Sequence, residues 1–61
     1  MKKYVVEGRW EGTSEKAWEV YDEFETLCSG MKSLKFYRTC CGLDMEYRLV
    51  EQEGDTKKVI V

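Results

Sequence analysis

Histidine is absent from this 61-residue chain, and its three cysteines form no C-x-x-C pair. There is no Ser-centred elbow, no glycine-rich phosphate loop and no metal-ligand spacing. Without histidine, Cys28, Cys40 and Cys41 lack the fourth ligand of a structural zinc site. An odd cysteine count with two adjacent members is not the disulfide framework of a small secreted domain. A vicinal Cys40–Cys41 bridge would force an awkward backbone. Three reduced thiols are expected, with Cys28 and Cys40 as small core residues. A thiol enzyme would need a base beside Cys40 or Cys41, and the chain supplies none. These absences point away from catalysis, metal and cofactor.

Long apolar runs are lacking too, so neither a membrane span nor a signal-peptide core is expected. The first residues, Met1 to Val6, read as a strand opened by two lysines, which fits a mature cytoplasmic protein. Formal charge is −2, giving no global excess of positive charge for nucleic acid.

What is present is 43% hydrophobic residues, with two tryptophans, four tyrosines and two phenylalanines. That composition folds. The whole of 1–61 is one small domain, and a chain this short buries only ~60% of its unfolded surface. A homodimer, by edge pairing or face packing, would offset so thin a core.

Residues 3–9 alternate, with Tyr4 and Val6 on one side and Val5, Glu7 and Arg9 on the other, which predicts a strand. Trp10-Glu11-Gly12 turns the chain, and Thr13 or Ser14 opens a predicted helix over 14–28 that Gly30 stops. Its stripe would be Ala17, Val20, Tyr21, Phe24, Leu27 and Cys28. Strands are expected over 33–41 and 43–50, joined by a two-residue turn at Cys41-Gly42. A three-residue loop at Glu53-Gly54-Asp55 would then lead to a last strand, setting Val59 opposite Leu49. A two-residue loop there would bury Lys58. The expected fold is α+β, a single β-α-β-β-β domain with one helix on one face of a four-stranded, mainly antiparallel sheet.

Between Glu15 and Glu25, five acids stand against one lysine. On a helix they form an uncompensated ridge, because Glu15–Glu19 and Glu19–Glu23 are like-charged at i,i+4. Trp18 borders that ridge, and tryptophan is a residue type enriched at interface hot spots. The expected contact surface is Trp18, Glu15, Glu19, Asp22 and Glu25, and its partner a protein with a basic surface. The alternative is a nucleic-acid face formed by Lys32, Lys35, Tyr37 and Arg38, since segment 32–38 carries three bases, no acid and two aromatics. Nucleic acid is the less expected partner, because parity turns Phe36 inward and sets Glu46 beside Tyr37. In size, acidity and lack of catalytic residues, the chain resembles the inhibitors that phages deploy against host defences, including anti-CRISPR proteins and DNA mimics. That resemblance is one of general character and rests on no motif.

Overall fold

The computed structural model describes residues 2–40 and 44–61. It comprises β1 (Lys2–Trp10), a 3-10 turn (Glu15–Ala17), β2 (Glu19–Phe24), α1 (Leu27–Cys40), β3 (Met45–Glu53) and β4 (Thr56–Val59). The strands lie in the order β2-β1-β3-β4, every neighbouring pair antiparallel. One helix packs on one face of this sheet, so the class and layers are those expected. The order of elements is not: the chain runs β-β-α-β-β.

β1 alternates as expected, and its Val6 joins Leu34, Tyr47 and Leu49 in the buried core. The predicted helix over 14–28 is a 3-10 turn followed by β2. Val20, Tyr21 and Phe24 favour a strand, and the i,i+4 acid pairs that a helix would impose are avoided. A register shift opposite Val6–Glu7 makes Tyr21 an extra residue on β2. The Tyr21 ring therefore reaches the helix side, edge-on to Tyr37 at 5.9 Å and to Tyr47 at 5.7 Å. Phe24, three residues on, packs against the same core.

The predicted strand over 33–41 is instead the body of α1. Thr26 caps it, its Oγ1 accepting the Ser29 amide at 3.2 Å. Gly30 is no stop; it is buried in the first turn of α1. A Cβ there would lie 3.0 Å from Leu49 Cδ1 and 3.2 Å from Tyr4 Cβ, so glycine lets the helix settle close onto the sheet. Helical spacing puts Leu34 in the core and leaves Phe36 57% exposed. Cys28 and Cys40 are exposed free thiols rather than core residues. The expected Cys41-Gly42 turn lies outside the described residues.

β3 keeps its expected parity, with Met45, Tyr47 and Leu49 toward the helix. Its hairpin with β4 closes through Gly54 (φ +59°) and Asp55, and the ladder runs from Glu53↔Thr56 to Val50↔Val59. The loop thus has two residues rather than three. Lys58 pairs with Glu51 on an exposed edge strand, so the burial that argued against this turn does not arise. Beyond Val59 the chain bulges, the Ile60 amide donating to the Leu49 carbonyl while the Leu49 amide donates to that of Val61. Near the hairpin end of β3, the Lys2 ammonium lies 3.1 Å from Glu51. That hydrogen bond, with the charges of Glu51 and Glu53, raises the Lys2 pKa above the usual lysine value.

Gly8 sits under the Tyr47 ring in the middle of the sheet. A Cβ at Gly8 would come within 2.8 Å of Tyr47 Cδ1 and Cε1, so the buried ring would have to move. Gly8→Ala is expected to lower stability by about 1–3 kcal/mol, the range for overpacking. Chemical denaturation checks this, and an unchanged midpoint would show that the ring does not depend on a bare backbone there.

Candidate interaction surface

The face of the sheet away from the helix is built from two short patterns, Glu7-Gly8-Arg9 on β1 and Glu46-Tyr47-Arg48 on β3. Antiparallel pairing sets Glu7 opposite Arg48 and Arg9 opposite Glu46. Both pairs close, Arg48 Nε donating to Glu7 Oε1 and Arg9 Nε to Glu46 Oε2, each at 2.7 Å. Glu7 is only 5% exposed, so it is a buried carboxylate held by its cross-strand arginine.

Trp18 completes this layer. Its ring centroid lies 4.1 Å from Arg48 Cζ and 4.5 Å from Arg9 Cζ, a cation–π arrangement. Its indole N–H donates to Glu15 Oε2 at 3.1 Å. Glu15 in turn lies 3.4 Å from Arg9 Nη1 and 3.6 Å from Arg48 Nη1. Two of the five residues expected at a contact surface are therefore engaged inside the molecule. The signal that could have found this was the repeated order of charges: glutamate then arginine, two apart, on two strands that pair antiparallel.

The other three acids do not share a helix ridge, because 19–24 is a strand. Glu19 and Asp22 lie on edge strand β2, opposite Gly8 and Val6, and Glu25 follows in the turn to α1. Glu23 joins them but is neutralised by Lys3 at 2.6 Å. Lys2, Lys3, Glu23, Phe24 and Glu25 line a shallow open depression of about 370 Å³ at this end of the edge. Among the described residues, Glu19, Asp22 and Glu25 form no ion pair. They sit with Val20, which is 57% exposed. This is an acidic, partly apolar strand edge.

The alternative residues separate as well. Tyr37 packs against Tyr21 and Tyr47, and the Arg38 guanidinium donates to the Tyr47 carbonyl at 3.0 Å. Lys32 and Lys35 remain exposed with Phe36 and Thr39, on one face of a helix that carries no acid. A strand would turn Phe36 inward; the helical period turns it out.

No group of three or more metal-ligating side chains occurs among the described residues. No helix among them is long and apolar enough to cross a membrane. No family model, curated protein or solved structure matches the chain.

Trp18 and Trp10 should behave differently on truncation. Trp18→Ala removes two cation–π contacts and is expected to cost about 1–3 kcal/mol. Trp10, 63% exposed, should change stability by less than about 0.5 kcal/mol when replaced by alanine. Paired thermal melts decide the matter, and equal effects would remove Trp18 from the structural layer.

Proposed function

We propose that this chain is a non-enzymatic protein-binding module that recognises a basic partner surface along the edge of β2. The observation that carries the reading is an edge strand that, with the turn after it, holds four acids and no base from Glu19 to Glu25. An edge strand offers backbone donors and acceptors to an incoming strand, and flanking side chains then choose among partners. Glu19, Asp22 and Glu25 supply the charge and Val20 the apolar contact. Glu15 and Trp18 support the site by holding β1 against β3, a change from the surface expected of a helix.

The role this character fits is stoichiometric inhibition of a larger nucleic-acid-handling protein, whose nucleic-acid surface is basic. Phage anti-defence inhibitors, anti-CRISPR proteins among them, have that general character, and the proposal puts the protein in the cytoplasm with such partners. A second reading has its own observation. Lys32, Lys35 and the exposed Phe36 share one acid-free helix face, which could engage single-stranded nucleic acid by charge and stacking.

The test is the affinity of a purified partner, recovered from the source cell, for the parent and for Glu19→Lys/Asp22→Lys/Glu25→Lys. The triple variant, with an unchanged circular dichroism spectrum, is expected to bind at least about tenfold more weakly, mostly through faster dissociation and lost steering. Equal affinity would overturn the β2 reading. Salt-sensitive micromolar binding of a single-stranded oligonucleotide, lost in Lys32→Glu/Lys35→Glu, would install the second reading in its place.

A further inference from the structure

The two edges of the sheet carry opposite charge. β2 bears Glu19, Asp22 and Glu23 with no base, whereas β4 bears Lys57 and Lys58 with no acid. Among the described residues, neither lysine forms an ion pair. We propose that copies of this chain associate head-to-tail, β4 of one molecule pairing antiparallel with β2 of the next. The proposal rests on reading β2 as the recognition edge, and it names an occupant for that edge: a second copy.

Strand direction permits the arrangement. Three successive antiparallel pairings make β2 and β4 run in opposite directions. A second copy placed alongside therefore continues one antiparallel sheet, with both helices on the same side.

The register follows from the faces. Asp22 stands opposite Val6, and Lys58 opposite Glu51 and thence Tyr4, which places both on the helix side. Glu23 stands opposite Val5, and Lys57 opposite Gln52 and thence Lys3, which places both on the other side. Setting Lys58 against Asp22 automatically sets Lys57 against Glu23. Lys57 then meets a carboxylate already shared with Lys3.

Past Asp22, the extra residue Tyr21 absorbs one step of the ladder. Val59 consequently falls opposite Val20, both on the side away from the helix. These valines are 52% and 57% exposed in the single molecule. One register thus satisfies two charge pairs and one apolar pair, and a one-residue slip would put every partner on the wrong face.

Charge also decides against the symmetric alternatives. Pairing β2 with β2 of another copy would set three acids against three, and β4 with β4 would set lysines against lysines. Like charges directly opposite destabilise a ladder. Only the heterologous contact is complementary, and such a contact is open-ended unless its rotation closes a ring.

Sedimentation velocity tests this on the full chain up to about 1 mM, because so short an edge contact belongs at the weak end of interface sizes. The parent should gain mass with concentration, and association should weaken about tenfold or more as salt rises from about 0.01 M to 1 M, shrinking the screening length from ~30 Å to ~3 Å. Lys57→Glu/Lys58→Glu makes both edges acidic, and Asp22→Lys/Glu23→Lys makes both basic. Each should be monomeric alone with a parent-like circular dichroism spectrum, and mixing the two should restore association.

A parent that stays monomeric at low salt would overturn the proposal. So would association that survives either charge reversal, or a mixture that fails to associate. A monomeric parent whose purified partner still loses affinity on Glu19→Lys/Asp22→Lys/Glu25→Lys would defeat self-association while leaving the protein-binding reading in place. Equal affinity in that second assay would defeat the binding reading by itself.

Discussion

The pairing of β1 with β3 is the constraint on which the rest of this domain depends. Their ladder covers the whole of β1 and sits in the middle of the sheet. On one side it brings Val6 to Leu49 and Gly8 to Tyr47, the floor on which α1 rests. On the other it brings Glu7 to Arg48 and Arg9 to Glu46. Among the described residues there is one helix for two sheet faces. The face without a helix carries the paired charged side chains and Trp18, and Val5 and Val50 on that face are only 2% exposed. Arginine suits that duty because its aliphatic stem covers apolar surface while its guanidinium stays paired. Trp18, lying against both guanidiniums, links the β1–β2 connection to the same ladder.

Period two was readable where nothing disturbed it. Tyr4 and Val6, and again Met45, Tyr47 and Leu49, fall on the core side as alternation requires. The middle of the chain was misread in both directions for one reason each. In β2 the bulge adds a residue, so Tyr21 and Phe24 reach the same side although three apart, as they would on a helix. In α1, Leu34, Phe36 and Cys40 share an even parity that mimics a strand, while Gly30, a residue of low helix propensity, lies close against Tyr4 and Leu49 of the sheet. Exchanging helix and strand in that region still leaves one helix and four strands. The class therefore survived a wrong element order.

The surface residues were legible as composition, and their geometry hung on the same period. Five acids between Glu15 and Glu25 make one ridge only if the segment is helical. On a strand they divide, and Glu15, before β2 begins, turns to the arginines and Trp18. What composition alone hid was in the spacing: Glu7-x-Arg9 and Glu46-x-Arg48 are complementary when antiparallel and clash in sign when parallel. Such a pattern fixes direction as well as register, and it sits on the two strands whose pairing organises the fold.

Charge on the outer strands serves two ends at once. A short edge that is bulged and charged resists indiscriminate pairing, and β2 has all three features. Yet a guard made of one sign repels only its own sign. Acids along β2 exclude another β2 and any acidic strand, while leaving the backbone groups of the edge open to a basic one. Negative selection by charge thereby becomes positive selection for a complement. A complementary strand in the same chain is β4, on the far side of the sheet, which the molecule cannot reach with its own β2. On the proposal that β2 is a recognition edge, what engages it, a second copy or a different basic protein, must therefore arrive from outside and bring the charge that the β2 edge itself lacks.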